Sequence, residues 1–149
     1  ELFQTLMQLM THSDVDYTIF FRELSHIPDD VEPLKKSFYG KTSQQFDEQW
    51  QTWLKSWRGL INDGPVEISL AEISIKMKQT NPKYAWREWL IVPAYQQAMQ
   101  GDYRLVKELQ AVFSHPYDEQ SQEVEDKYYR LRPSAFSDVG GVSHYSCSS

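Results

Sequence analysis

Three adjacent residues, His12-Ser13-Asp14, contain the side chains of a hydrolytic triad. In such a site a nucleophile, a base and an orienting carboxylate meet through space, and consecutive residues do not reach that geometry. A short hydroxyl or carboxylate ahead of an apolar helical pattern is instead typical of a helix N-cap. We therefore expect Ser13 or Asp14 to cap a helix, and we predict no catalytic residue in this chain.

The other polar groups do not form a metal-binding pattern. The histidines are dispersed along the chain, at His12, His26, His115 and His144. None lies at ligand spacing from a cysteine or a second histidine. Acidic residues cluster between Asp118 and Asp126, where we favour a solvated charged surface over a cation site. No glycine-rich phosphate loop is present either, so we predict no metal-binding and no cofactor-binding residue here.

The single cysteine, Cys147, lies two residues from the end of the sequence among small polar residues. A buried structural cysteine is expected inside an apolar pattern, so this thiol is predicted to be accessible to oxidants or partners. Cys147 is our candidate redox residue, and an inert terminal thiol stays an open alternative. A lone cysteine allows no internal disulfide framework and favours the cytoplasm as the compartment.

Length and composition predict one soluble domain with a substantial core. The chain has 149 residues, of which 14% are aromatic. The net charge of −6 and the lack of a basic stripe argue against nucleic-acid binding. The longest apolar run, from Trp89 to Tyr95, is too short to span a bilayer, and no signal peptide opens the chain. We expect neither nucleic acid nor a membrane as a partner.

Apolar residues recur at three- and four-residue steps over residues 1–116, which predicts an all-α fold of about six helices. The clearest pattern lies between about Ser43 and Asn62, where Phe46, Trp50, Trp53, Leu54, Trp57 and Ile61 share one helical face. We interpret the tryptophans of this stripe as core residues rather than as a ligand platform. Two capping boxes are predicted, at Thr42-x-x-Gln45 and Ser69-x-x-Glu72.

The second half of the chain has clear start and stop signals. Asn81-Pro82 predicts the start of a fifth helix, which runs to about Gln100 with a kink at Pro93. Gly101 ends it, and Asp102 is predicted to cap the sixth helix. From residue 117 the pattern fades, so 117–149 is predicted to be an irregular arm or tail that ends in Cys147-Ser148-Ser149.

Four short motifs occur in a characteristic order: Asn81-Pro82-Lys83-Tyr84, Gly101-Asp102-Tyr103, Pro116-Tyr117-Asp118-Glu119-Gln120 and the terminal Cys147-Ser148-Ser149. Together with the upstream segment from Asp16 to Leu24, they resemble the closing region of the selenoprotein O (SelO, YdiU-like) family. The resemblance covers most of the chain. It departs from the family at Pro93, and at Gln120-Ser121, where a proline often follows.

The resemblance implies that the parent protein has a kinase-like fold and performs protein AMPylation. Such an enzyme transfers AMP from ATP, with Mg²⁺ or Mn²⁺, to Ser, Thr or Tyr hydroxyls of protein substrates. Its nucleotide- and metal-binding residues belong to the upstream part of the family, and none of those motifs occurs here. Cys147 matches a position that holds selenocysteine in some members and cysteine in others, for which a redox role is suggested.

The chain opens at Glu1 within an apolar helical pattern, so we expect a C-terminal fragment of a longer protein. By resemblance, its partner would be the upstream kinase-like domain of the same chain, and the fragment alone would be non-catalytic. The expected location is cytoplasmic, or mitochondrial in eukaryotic relatives. Two alternatives stay open: a helical protein-interaction module that binds through its aromatic faces, and a small redox protein that acts through Cys147.

Overall fold

The computed structural model describes residues 1–64 and 68–136. Within these ranges the chain forms seven α-helices and two short 3-10 helices, and no strand. The predicted all-α fold is therefore confirmed. None of the helices that the structure describes is long and apolar enough to cross a bilayer. The chain divides into two compact units, Glu1–Pro82 and Lys83–Ser149.

The first unit is built around aromatic side chains. Its elements are α1 (Leu2–His12), α2 (Tyr17–Leu24), a 3-10 helix (Glu32–Ser37), α3 (Gln44–Asn62) and α4 (Leu70–Thr80). Trp50 of α3 is fully buried at the centre, with its ring 5.1 Å from that of Phe20 and 5.5 Å from that of Phe38. Trp53 is also buried, and Trp57 packs against the same cluster. The tryptophan stripe is core packing, as predicted.

The start of α2 differs from the prediction. Asp16, rather than Ser13 or Asp14, is the N-cap, and its carboxylate accepts a hydrogen bond of 3.0 Å from the Ile19 N–H. Ser13 instead closes α1, because its hydroxyl donates to the Leu9 carbonyl at 2.6 Å. The prediction was wrong because α1 extends two residues further than its apolar pattern, and its end uses the first polar group.

A strained corner follows α2. Ile27 has a φ of 52°, a left-handed conformation that is unfavourable for a β-branched residue, and its side chain is buried. The guanidinium of Arg58 on α3 donates to the carbonyl of Ile27 at 2.6 Å and to that of Pro28 at 3.0 Å. It also lies 2.6 Å from the carboxylate of Asp29. These contacts hold the strained corner in place.

The two predicted capping boxes have different outcomes. The N-cap of α3 is Ser43, whose hydroxyl accepts from the Phe46 N–H, so the box at Thr42 was wrong. Thr42 is unavailable because its hydroxyl donates to the side chain of Asp47. The box at Ser69 is confirmed, since Ser69 and Glu72 exchange side-chain and backbone hydrogen bonds at the start of α4.

The second unit, described as far as residue 136, contains three α-helices and a short 3-10 helix. These are α5 (Glu88–Met99), α6 (Arg104–Phe113), α7 (Gln122–Tyr128) and the 3-10 helix Ser134–Phe136. Asn81-Pro82 does not start α5, contrary to the prediction, because Asn81 is the C-cap of α4 and the N-cap of α5 is Arg87. The residues that follow Pro82 use their backbone donors in a non-local contact described below, so they are not free to begin a helix.

Pro93 lies inside α5, as predicted, and the helix continues past it to Met99. Gly101 has a φ of 85°, which confirms it as the helix-stopping glycine. The N-cap position of α6 is Tyr103 rather than Asp102. The carboxylate of Asp102 nevertheless accepts from the Arg104 N–H at 3.1 Å, so it supplies the capping group from one position earlier.

The region predicted as an irregular arm, residues 117–149, contains a helix. Helix α7 begins after the N-cap Ser121, whose hydroxyl accepts from the Val124 N–H. The prediction of irregular structure was therefore wrong for α7. Most residues of this helix are charged or polar, so the sequence did not indicate that Tyr128 and Tyr129, at its end, are buried. Residues 137–149, including Cys147, lie outside the described part of the chain. The proposed division at residue 116 stays a prediction.

Candidate functional site

The structure places His12, Ser13 and Asp14 at the end of α1, where each makes backbone contacts. The Nδ1 atom of His12 lies 2.6 Å from the carbonyl oxygen of Gln8. The carbonyl of Asp14 accepts a 2.9 Å hydrogen bond from the N–H of Tyr39. The first contact lies within α1 and the second joins Asp14 to the segment at Tyr39, and neither brings a nucleophile to a base.

Possible metal ligands are dispersed within residues 1–64 and 68–136. These ranges contain no group of three or more histidine, cysteine or acidic side chains that could hold a metal ion. His115 lies 3.4 Å from the carboxylate of Asp118, and both side chains are exposed. His144 and Cys147 fall outside the described residues, so the redox assignment of Cys147 stays a prediction.

The most distinctive polar group of the second unit is a buried lysine, Lys83. Its side chain is only 5% exposed, and its Nζ atom donates to the carboxylates of Glu119 and, at 2.7 Å, Glu125. The same atom lies 5.1 Å from the ring centroid of Tyr129 and 5.9 Å from that of Tyr84. Two anions and two aromatic faces therefore surround one cation. We call these five residues the Lys83 cluster.

Electrostatics in the Lys83 cluster favour the charged form of the lysine. Burial by itself lowers the pKa of Lys83, but the hydrogen bonds that its ammonium group donates to Glu119 and Glu125 outweigh burial and raise the pKa above its usual value. A lysine that acts as a base or nucleophile near neutral pH needs the opposite shift. The cluster therefore suits a positioning role. Its carboxylates, which we considered as a cation site, bind the ammonium group of the chain itself.

Backbone hydrogen bonds join the two motifs that contribute to the cluster. The N–H groups of Lys83 and Tyr84 both donate to the carbonyl of Pro116, at 2.8 and 3.1 Å. The side-chain amide of Gln120 donates to the carbonyls of Val112 and His115, at 2.9 and 3.1 Å. The motif that begins at Pro116 is thus held to the end of α6 on one side and to the backbone of Lys83 and Tyr84 on the other.

Tyr84 is the deepest residue of the cluster. It is 1% exposed, and its ring centroid lies 6.3 Å from that of Tyr129 in an edge-to-face arrangement. Burial raises the pKa of its hydroxyl. Among the described residues this hydroxyl has no hydrogen-bond partner of normal geometry. Tyr84 therefore contributes mainly through apolar packing.

The upstream motif, Asp16 to Leu24, makes a second junction within the first unit. The buried guanidinium of Arg22 donates to the carbonyls of Lys78 and Asn81, at 3.0 and 3.1 Å, at the end of α4. The side-chain amide of Asn81 donates to the hydroxyl of Ser25 at 3.0 Å. These hydrogen bonds hold the end of α4 against α2, so the polar residues that form them have a structural role.

Reasoning from the sequence did not identify Lys83 as the centre of an ionic cluster. Lysine is almost never fully buried unless it is paired, so the position of Lys83 between Pro82 and Tyr84 did not by itself indicate burial. The acidic run from Asp118 to Asp126 supplied the complementary charges. What the sequence could not provide was the pairing of these two segments.

Comparison of this chain with known families confirms the family resemblance that the sequence indicated. Residues 1–114 match the family model described as "Protein adenylyltransferase SelO". The chain belongs to the SelO family.

Several bacterial relatives are named "Protein nucleotidyltransferase YdiU". The one from Xanthomonas axonopodis pv. citri is 34% identical over all of this chain, and the one from Vibrio parahaemolyticus is 32% identical over 99% of it. A third, from Stutzerimonas stutzeri, is 40% identical over 80% of the chain. The chain spans 29% of the first two relatives and 24% of the third. The similarity therefore concerns less than a third of each longer protein.

Proposed function

We propose that this chain is a helical, non-catalytic part of a protein nucleotidyltransferase that transfers AMP from ATP to serine, threonine or tyrosine hydroxyls of other proteins. The observation that carries the proposal is the family match over residues 1–114. The names of the bacterial relatives support the same class of reaction. Because the chain spans 29% of those relatives, the activity is proposed for the longer protein.

In the proposed reaction, the hydroxyl oxygen of the substrate protein forms a bond to the α-phosphorus of ATP. The bond from this phosphorus to the oxygen that bridges to the β-phosphate breaks, so pyrophosphate leaves and the hydroxyl proton passes to a base or to solvent. Charge that develops on the phosphate needs cationic groups close to it. By resemblance, ATP and Mg²⁺ or Mn²⁺ bind to residues upstream of the part represented here.

The nucleotide and metal sites of the proposed enzyme would then lie outside the described residues of this chain. In support of this, Glu119 and Glu125 bind the ammonium group of Lys83, and the described ranges hold no group of three or more histidine, cysteine or acidic side chains that could bind a metal ion. We therefore derive no catalytic step from these residues. We propose that the chain packs on an upstream kinase-like domain of the same protein and stabilises it.

The test uses the full-length protein and two forms of labelled ATP. Label on the α-phosphate should appear on a substrate protein, whereas label on the γ-phosphate should not. Residues 1–149 alone should transfer neither. Transfer of the γ-label would indicate a kinase and would overturn the proposal. If the full-length protein transfers no AMP but residues 1–149 bind a cellular protein tightly, the chain is an interaction module instead.

A redox role for Cys147 is the second part of the proposal, and it rests on the match of this residue to the family position. Because Cys147 is the only cysteine among the 149 residues, an intramolecular disulfide partner would lie elsewhere in the longer protein. AMP transfer by the full-length protein should respond to oxidants, and Cys147→Ser should remove that response. An unchanged response in this variant would exclude Cys147 as the sensor. We expect this chemistry in the cytoplasm.

A further inference from the structure

The segment that connects α2 to the first 3-10 helix, residues 27–31, is buried at its ends and exposed in its middle. Ile27 and Val31 are buried, whereas Asp29 and Asp30 are exposed. The two ends therefore pack in the first unit, while the residues between them cross its surface. We call residues 27–31 the strap.

The strap begins with backbone strain. Ile27 has a φ of 52°, in the left-handed region where a helix commonly ends on glycine. Its N–H donates to the carbonyl of Leu24 at 2.9 Å, so Ile27 closes a turn at the end of α2. A β-branched residue is unfavourable in this region, and it persists there only when surrounding contacts impose the conformation. Contacts that impose it come from α3.

The guanidinium of Arg58 on α3 holds the first half of the strap. It donates to the carbonyl of Ile27 at 2.6 Å and to that of Pro28 at 3.0 Å, and it lies 2.6 Å from the carboxylate of Asp29. The side chain of Asp29 is 88% exposed and that of Arg58 is 22% exposed. An ion pair with so exposed a partner is weak and is screened by salt. The hold of Arg58 on the strap therefore includes a salt-sensitive part.

Gln51, about two helical turns before Arg58, holds the second half of the strap. Its side-chain amide donates to the carbonyl of Asp29 at 3.3 Å and accepts from the N–H of Val31 at 3.1 Å. A cavity of about 390 Å³ lies beside these contacts, and the described residues that line it are Asp29, Gln51, Lys55, Arg58, Gly59 and Asn62. Polar side chains next to open space separate at lower free energy than a packed apolar interface does.

We propose that the strap has two states: closed, as in this structure, and open, with its backbone released from α3 and Ile27 relaxed to a negative φ. Arg58 is the latch, because it binds the strained residue and the one after it. Strain at Ile27 favours the open state, and the contacts of Arg58 favour the closed state. The first unit therefore opens locally at residues 27–31, separately from its tryptophan core. This inference does not rest on the proposed reaction.

Hydrogen–deuterium exchange of the full-length protein, read by mass spectrometry of its peptides, tests the latch. Arg58→Met keeps an unbranched side chain and removes the guanidinium. Lys55→Met is the matched control, because Lys55 lies one turn earlier on α3 and lines the same cavity. In Arg58→Met the strap amides should exchange at least about tenfold faster, with residues 50–54 of α3 unchanged. In Lys55→Met neither region should change. Equal acceleration of the strap and of residues 50–54, or equal effects of the two substitutions, would overturn the inference.

If Arg58→Met does not fold, the intact latch carries the test. Raising the salt concentration to about 1 M should speed strap exchange about threefold, because it screens the ion pair, and Asp29→Asn should remove this dependence. Ile27→Leu keeps the side-chain volume without β-branching, so it lowers the strain and should slow strap exchange about threefold. Strap exchange that responds neither to salt nor to Ile27→Leu would overturn the inference.

Discussion

The ammonium group of Lys83 lies 2.7 Å from the carboxylate of Glu125, a residue 42 positions later in the chain. This pair joins the first residue of the second unit to α7, and it is almost completely shielded from solvent on the lysine side. A buried ion pair depends on both partners, because removal of one leaves the other charge without compensation.

Lys83→Met is therefore expected to destabilise the protein by about 1–2 kcal/mol, less than for a pair with both partners buried, because the side chains of Glu119 and Glu125 are 56% and 26% exposed and water can hydrate their carboxylates. Urea unfolding of the wild-type and variant proteins measures this difference. Lys107→Met, at an exposed position of α6, is the control and should change stability by less than about 0.5 kcal/mol. Equal effects of the two substitutions would show that the cluster contributes little.

The two buried tryptophans of α3 are expected to respond differently to replacement by phenylalanine. The indole N–H of Trp53 donates to the Leu2 carbonyl, whereas that of Trp50 has no hydrogen-bond partner among the described residues. Both substitutions remove similar apolar area, but only Trp53→Phe breaks a hydrogen bond. We expect it to destabilise the protein by about 1 kcal/mol more than Trp50→Phe. Denaturant unfolding would contradict this if Trp50→Phe were the more harmful change.

The capping box of α4 gives a third prediction. Ser69→Ala removes the hydroxyl that accepts from the Glu72 N–H, so the protein should lose about 1 kcal/mol of stability. Ser69→Thr keeps the hydroxyl and should lose much less. Ser56→Ala, in the middle of α3, is the control because its hydroxyl only donates to the Thr52 carbonyl. Thermal unfolding followed by circular dichroism would refute the role of the box if the alanine and threonine variants at position 69 were equally unstable.

The pH dependence of stability should include a contribution from Tyr128. Burial, together with the hydrogen bond to Glu108, raises the pKa of Tyr128 to about 12 from 10.0. Because the folded protein holds this proton more tightly than the unfolded chain, the contribution is complete below pH 10 and is lost as the pH rises from about 10 to 12. Its size is roughly 1–3 kcal/mol.

Alkaline unfolding curves provide the measurement for Tyr128. The wild-type protein should lose stability more steeply than Tyr128→Phe across this pH range, while the two slopes should agree near neutral pH. The phenylalanine variant also loses the 2.7 Å hydrogen bond to Glu108, which lowers its stability at all pH values and does not alter the comparison of slopes. Parallel curves above pH 10 would contradict the assignment.

Local signals in the sequence were sufficient for α3 and for the start of α4. In α3 the apolar period and the stop at Asn62 lie within the helix itself, and in α4 the cap residues are three positions apart. The cap of α3 was misplaced by one residue because Thr42 and Ser43 have similar capping preferences. Asp47 decides between them by binding the Thr42 hydroxyl.

The start of α5 and the existence of α7 could not be predicted in this way. The N–H groups of Lys83 and Tyr84 donate to Pro116, and only the folded chain brings that carbonyl near them. In α7 the buried side chain is Tyr128, which packs edge-to-face on Phe113 of α6 at 6.2 Å. A single anchoring residue leaves no periodic pattern in a helix of seven residues.

The Lys83 cluster could not be predicted from the sequence because it, too, depends on contacts between residues far apart in the chain. Family motifs were visible in the sequence as separate runs of residues, but their junctions depend on contacts over long separations. Lys83 and Glu119 are 36 positions apart. Composition and spacing identify each partner and do not identify the pairing.

The way that Arg22 holds α4 has a consequence for the dynamics of the first unit. No residue of α4 is fully buried, so the helix is retained largely by polar contacts, from Arg22 to its last carbonyls and from Ser74 to Ser25. Polar contacts of this kind protect the amide hydrogens of a helix from exchange less than a buried apolar face does. Helix α4 should therefore exchange its amide hydrogens through local opening well before the tryptophan core of α3 does, and the contacts of Arg22 and Ser74 contribute to the free energy of that opening.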